Sequence, residues 1–308
     1  MSRAKKSKKK KWPWVVGGIG IIVLAILIYG IVIFKGFTNT AKSLHEPIDR
    51  EVSEKREKPV TFKDKEPFSV LVLGVDEREG DKGRSDTVIV LTVNPETKST
   101  KMVSIPRDTY TEMVGRDFKD KINHAYAFGG IEMSMATVEN LLDIPLDYVV
   151  SVNMDSFKDI VNAVGGIKVN NSLDFKAGNY SFPSGEISLN GDEALAFVRM
   201  RKEDPRGDFG RQDRQKQVLQ AVMREGASVN SLLNFNSIFD AIGKNVRTNM
   251  TFDEMIEVQK NYRDAAKKVD QLYIEKGQGE TIDKIWYYIL NDAELDNIQS
   301  ELKEHLEL

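Results

Sequence analysis

The chain has 308 residues, 41% of them hydrophobic and 30% charged, enough to bury a full core in one large or two small domains. Cysteine is absent and histidine occurs only at His45, His124 and His305, which excludes disulfides and thiol chemistry and gives no zinc cluster. The net charge of −3 conceals an asymmetry: residues 1 to 11 carry Arg3 and six lysines without an acid, and removing those seven leaves 37 basic against 47 acidic groups, near −10, which argues against nucleic acid as a partner.

The basic run, 1–11, is followed by Trp12-Pro-Trp14 and then by Val15 to Phe34 without a charge. A helix of that length spans a hydrocarbon core of roughly 30 Å. It is too long for the apolar part of a cleaved signal peptide, so 12–34 is expected as an uncleaved transmembrane signal-anchor helix. Cations crowd its N-terminal side, which places residues 1–11 in the cytoplasm and everything after residue 35 outside the cytoplasmic membrane, a single-pass type II arrangement. Residues 35–66 are polar, with Pro47 and Pro59, and read as an extracellular stalk. The globular domain is expected over 67–308.

Within it, Phe68 to Gly74, Asp86 to Val93 and Lys101 to Ile105 read as strands, the last two joined as a hairpin. Ile131, Met135, Val138 and Leu142 keep helical spacing after Gly129-Gly130, and Asp147 to Val152 reads as a strand. A helix from Asp155 stops at Gly165-Gly166, Ile167 to Val169 is a short strand, and Asn170 to Leu189 is a hairpin or irregular excursion. A helix starts near Phe209, and Thr251-Phe-Asp-Glu254 has the form of a capping box for another. Leu272 to Ile274 and Ile285 to Leu290 are strand candidates before a closing helix marked by Leu295, Ile298 and Leu302. This mixture predicts a three-layer α/β or α+β sandwich with a central mixed β-sheet flanked by helices, preceded by the transmembrane helix.

Five of the fifteen arginines, at 199, 201, 206, 211 and 214, fall within sixteen residues. Guanidinium groups present paired donors at fixed geometry and suit a phosphate. They also suit a solvated loop paired with Glu203, Asp204, Asp208 and Asp213. Asp76 follows the first expected strand and Asp86 opens the second, so two carboxylates meet at one sheet edge, where a hard cation such as Mg²⁺ is held by acids and phosphate oxygens. Arg84 and Arg107 fall at the same rim. On the helix from Phe209, Arg211 and Gln215 stand at i and i+4, and its N-terminus adds free amides and a positive dipole end. The common nucleotide-binding, serine-hydrolase and metalloprotease motifs are absent.

Gly74-Val-Asp76-x-Arg78, Gly83-Arg-Ser-Asp-Thr87, Ser104-Ile-Pro-Arg-Asp108, Lys121-Ile-Asn-His124, Val164-Gly-Gly-Ile167 and Leu189-Asn-Gly-Asp-Glu-Ala-Leu-Ala196, with the arginine stretch, resemble the LytR-CpsA-Psr family of membrane-anchored cell-wall enzymes. Within that family the likeness is to the branch acting on wall teichoic acid. The resemblance implies that Asp76 and Asp86 hold Mg²⁺ and that Arg84, Arg107, Arg199, Arg211 and Gln215 contact the pyrophosphate of a polyprenyl diphosphate-linked teichoic acid, its lipid tail in an apolar tunnel. The implied reaction transfers the polymer to a hydroxyl of peptidoglycan, making a phosphodiester in cell-wall biogenesis. Arg107 is expected as catalytic, and Asp208, ahead of Asp108 and Asp213, as the base. Two alternatives use the same residues: a Mg²⁺-dependent lipid-pyrophosphate hydrolase, and a non-enzymatic wall-polymer binding or regulatory protein.

Overall fold

The structure, a computed structural model, describes residues 48, 52–76, 83–227 and 246–308. The expected cytoplasmic segment and membrane-spanning helix, 1–34, lie outside the described residues, among which no helix is long and apolar enough to cross a membrane.

Six strands form the central sheet: β1 (Phe68–Val75), β2 (Ser85–Asn94), β3 (Ser99–Ser104), β6 (Tyr148–Asn153), β11 (Val246–Thr248) and β12 (Val269–Leu272), in the order β11-β6-β1-β2-β3-β12. The sheet is mixed, with β1 antiparallel to β2 and parallel to β6, and β12 parallel to β3. Among the described residues six helices accompany it: α1 (His124–Leu142), α2 (Met154–Ala163), α3 (Gly191–Arg199), α4 (Asp208–Gly226), α5 (Phe252–Asn261) and α6 (Asp292–His305).

Period-two alternation decides which side chain faces which helix. Leu71, Leu73, Val88, Val90 and Val103 pack with Met135, Val138 and Leu142 of α1 and Ile298 and Leu302 of α6. Their neighbours Val70, Ile89, Leu91 and Met102 pack on the opposite face, against Leu219 and Met223 of α4 and Val258 of α5. A separate cluster ties α2, α3 and α4 to β7 (Ile167–Asn171), β8 (Phe175–Ala177), β9 (Tyr180–Phe182) and β10 (Gly185–Leu189), the excursion expected between Asn170 and Leu189. Two further hairpins, β4 (Tyr110–Glu112) with β5 (Lys119–Lys121) and β13 (Gln278–Ile282) with β14 (Ile285–Ile289), complete the domain.

Side-chain caps set several helix starts, as Thr251 and Glu254 do reciprocally for α5 and Asn190 and Glu193 for α3. One helical turn from His124 precedes the expected start at Ile131, because Gly129 and Gly130, the latter at φ 66°, kink α1 instead of opening it. The last parallel strand, Val269–Leu272, lies earlier than the expected Leu272 to Ile274.

Residues 52–66, expected as part of a stalk, dock on the domain. Arg56 grips the Asp147 carboxylate with Nε at 2.6 Å and Nη2 at 3.1 Å and reaches the Pro67 carbonyl. Ser53 donates to the buried Glu139 at 2.5 Å. Phe62 enters an aromatic cluster with Phe68, Tyr148 and Tyr262, ring centroids 5.0 to 5.5 Å from its own.

Candidate active site

The site lies at the end of the sheet where β1 finishes and β2 begins. Gly74 pairs with Thr87 but Val75 pairs with Ser85, so Asp86 is the extra residue of a β-bulge. A bulge re-aims the side chain it carries. Here Asp86 accepts from Arg107 Nη1 at 2.7 Å, and Arg107 stands three residues beyond β3. Asp76 sits beside this pair, its amide donating to the Arg84 carbonyl at 3.3 Å, while the Arg84 side chain is exposed.

From the other side comes the N-terminus of α4. Gly207, at φ 59°, turns the chain into it without a side-chain cap, so the first-turn amides stay open to an anion. Arg211 Nη2 lies 2.7 Å from Asp208 Oδ1, and Arg201 Nε lies 3.8 Å from the same oxygen. Gln212, almost fully buried, accepts from Ser104 Oγ at 3.2 Å and donates to Asp208 Oδ2 at 3.3 Å, which sews the helix to the end of β3.

The electrostatics show both halves acting on one another. Burial lowers the Arg211 pKa; Asp208 and Asp86 oppose that, and the charges of Arg107 and Arg201 add to it. For Arg107 burial works downward too, but the bond to Asp86 and the charges of Asp86, Asp208 and Asp108 outweigh it and raise the pKa. Cations crowded from opposite elements are stabilised by a bound anion.

Hydrogen bonding points the same way. Ser85 Oγ, Arg107 Nε, Thr109 Oγ1, Asn123 Oδ1, Asp208 Oδ1 and Arg211 Nε are buried and make no well-aligned hydrogen bond within the protein, six of the eight such side-chain atoms among the described residues, although Asp208 Oδ1 keeps its ion pair with Arg211 and Arg107 Nε lies 3.6 Å from Asp108 Oδ2. Asn123 is tied to this corner by its amide, which donates to the Arg107 carbonyl. Buried polar groups are normally paired, so a cluster of exceptions marks where a ligand is expected.

The arginine stretch divides. Arg214 is buried and structural: it donates to the carbonyls of Phe197 and Met200 and to Asp204 Oδ2, so it clasps the loop 200–207. Gly210 permits this, since a Cβ there would stand 1.8 Å from Asp204 Oδ2. Arg206 pairs with Asp213 at 2.6 Å. Arg199 is exposed at the end of α3, and Gln215 is half-buried one turn after Arg211. Gln212 is a site residue that the sequence reading does not nominate, because Arg211 and Gln215 draw the i,i+4 argument; Asp208 and Gln212 share that spacing and carry the same signal. Lys121, 2.6 Å from Asp108, joins the same rim.

Among the described residues no group of three or more His, Cys, Asp or Glu side chains could hold a metal by itself. Asp76 and Asp86, on neighbouring strand ends, nonetheless offer the oxygen-only donors that suit Mg²⁺, which usually takes one or two carboxylates and completes its shell with water and substrate phosphates.

The chain is 51% identical over 303 residues to the polyisoprenyl-teichoic acid–peptidoglycan teichoic acid transferase TagU of Bacillus subtilis, covering 98% of each chain. The crystal structure of B. subtilis TagU superposes with a TM-score of 0.64, over 79% of this chain and 98% of that one. TagT bound to LI-WTA superposes with a TM-score of 0.73 at 34% identity, over 86% of this chain and all of that one. The LytR_cpsA_psr family model matches residues 31–304, and the chain belongs to the LytR-CpsA-Psr family.

Proposed function

We propose that the chain transfers wall teichoic acid from a polyprenyl diphosphate carrier to peptidoglycan, with the catalytic domain, residues 67–308 plus the docked segment before them, outside the cytoplasmic membrane. The observation that carries this reading is the pair Arg107 and Arg211, brought together from a strand end and a helix N-terminus, each with a buried Nε free of hydrogen bonds. Those donors are fitted to pyrophosphate oxygens. Arg84, Arg199 and Gln215 extend the contact outward, and Asp76 and Asp86 would hold Mg²⁺, which when bound neutralises charge on those oxygens.

In the reaction an acceptor hydroxyl attacks the phosphorus that bears the polymer. A new phosphodiester bond forms, the bridging P–O bond breaks, and polyprenyl phosphate leaves. Asp208 takes the hydroxyl proton, held in place by Gln212 and Arg211. Asp213, with Arg206 and Lys216, and Asp108, with Lys121 and Arg107, are ion-paired as Asp208 is; Asp208 is taken as the base because it stands in the first turn of α4 between Arg201 and Arg211. Arg107 stabilises the phosphoryl oxygens, and positioning with charge neutralisation is what phosphoryl transfer chiefly needs.

We assign the lipid tail to the far end of α4. An apolar cavity of about 280 Å³ lies among Phe68, Val93, Met223, Met250, Met255 and Val258. Helix α4 runs from the charged cluster at its start to this cavity at its end, a span of roughly 28 Å. The decisive experiment gives the full-length protein in detergent a lipid-linked teichoic acid donor and Mg²⁺, with and without peptidoglycan. The expected result is polymer joined to peptidoglycan through phosphodiester; donor consumed equally fast without peptidoglycan would identify a hydrolase instead.

A further inference from the structure

The hairpin β13–β14 carries an aromatic run that the donor chemistry does not use. Trp286 and Tyr288 are two residues apart on β14 and so share a face. Each rests on glycine: a Cβ on Gly279 would stand 2.7 Å from the Trp286 indole nitrogen, and one on Gly277 would stand 2.6 Å from the Tyr288 ring. Tyr288 is buried, and its ring centroid is 5.7 Å from that of Phe209, the residue after Asp208. Its amide donates to the Asp108 carbonyl at 2.9 Å, which pins the hairpin to the corner that holds Arg107. Trp286 continues the run outward and is 49% exposed.

A tryptophan supported on one side by glycine backbone and open on the other offers a flat apolar face that a ring can stack on. Around it Glu280, Thr281, Asp283 and Lys284 are exposed, together with one apolar neighbour, Ile285. A pyranose ring matches that pattern, having a C–H face to stack and hydroxyls at its edge. A lipid surface does not fit the position. Residues 52–66, which lead back to the apolar run 15–34, dock where β1 begins, whereas the hairpin is fixed to the end where β1 finishes.

We propose that the β13–β14 hairpin is the platform for the acceptor glycan, with one sugar ring stacked on Trp286 and the strand leading from there toward Phe209 and Asp208, the buried Tyr288 serving to hold the hairpin against Phe209. This deepens the transferase reading and rests on it for the identity of the acceptor.

The test uses the full-length protein in detergent, peptidoglycan sacculi stripped of teichoic acid, and phospholipid vesicles. Trp286→Ala is expected to weaken sacculus binding and raise the acceptor KM by about tenfold, with the donor KM unmoved, while Trp286→Tyr restores most of both. A second readout needs no change at the platform. The chain has three tryptophans, Trp12, Trp14 and Trp286, so with Trp12→Phe and Trp14→Phe the fluorescence reports Trp286 alone, and soluble glycan fragments are expected to change it saturably. Unchanged binding and KM in Trp286→Ala, a fluorescence blind to glycan, or loss of vesicle binding in place of sacculus binding would each overturn the proposal. If the wild type binds sacculi through Trp286 yet transfers nothing, the platform stands and the transferase reading falls. If transfer proceeds at a rate indifferent to Trp286, the transferase reading stands and the platform falls.

Discussion

The two ends of the central sheet are built from the same strands and treat polar groups in opposite ways. At the end holding Asp86 and Arg107, most of the described chain's unpaired buried polar atoms collect. At the end holding Phe68 and Asn94, about 26 Å along β2, most buried polar groups find partners, Arg263 Nε being an exception. Arg56 and Asp147 meet in a two-pronged bridge that also serves Ser69. His305, buried, has Thr92 Oγ1 at 2.8 Å from Nδ1 and Ser99 Oγ at 2.9 Å from Nε2. Rings of Phe62, Phe68, Tyr148 and Tyr262 fill the remaining space. The polar groups of one end are largely satisfied by folding and what it leaves open is apolar; the other end leaves polar groups for a ligand to satisfy, which is how binding sites trade stability for function.

The same contrast occurs inside the arginine stretch, where it gives the largest expected effect. Arg214 and Asp204 are buried, with side chains 6% and 4% exposed, and fully bonded. Arg214→Ala leaves the Asp204 charge buried with only the Arg206 amide and, at 4.0 Å, its Nε beside it, at a cost of about 3–5 kcal/mol in unfolding by urea. Arg107→Ala, by contrast, should change stability by under about 1 kcal/mol while lowering the transfer rate on the order of 10²–10³-fold. A stability loss at Arg107 as large as that at Arg214 would erase the distinction between the two kinds of arginine.

At the far end, pH offers a probe. Burial pulls the His305 pKa down to about 4, assisted by Lys101 and opposed by Asp270. Unfolded, the ring ionises near its ordinary value of 6.5; folded, it stays neutral until about 4. The unfolded state therefore takes the proton first, and stability drains as pH falls through that window, by up to about 3 kcal/mol. Denaturation curves of the wild type and His305→Gln between pH 7 and pH 4 should diverge in slope, the variant being the flatter.

Both ends are unequally legible in the sequence. The central strands and long helices announce themselves through period, because a sheet covered on both faces demands apolar runs and α4 carries its amphipathic stripe. The charged residues of the site can be nominated from strand ends, yet the bulge at Asp86, which turns its carboxylate toward Arg107, has no local signature. Neither does the division between Arg211 and Arg214, three residues apart in one helix: it depends on whether carbonyls of Phe197 and Met200 are within reach, a tertiary fact. The docking of residues 52–66 stays hidden for the same reason. Phe62 is one aromatic residue in a polar stretch, and only Phe68, Tyr148 and Tyr262 make a pocket for it.

The smallest expected effect tests whether the two ends are independent. Thr251 caps α5 at the far end, its hydroxyl accepting from the Glu254 amide while Glu254 Oε2 accepts from the Thr251 amide and hydroxyl. The other oxygen of Glu254 accepts from Tyr148 at 2.7 Å, so the cap is joined to β6. Thr251→Ala removes one oxygen and should cost about 1 kcal/mol, the usual worth of an N-cap. That loss leaves nearly every molecule folded, so the transfer rate per molecule should match the wild type. The helix does, however, line the apolar cavity through Met255 and Val258. If transfer drops severalfold at full folding, the far end is not merely structural: the cavity must then be transmitting the fit of the lipid tail along α4 to Asp208 and Arg211.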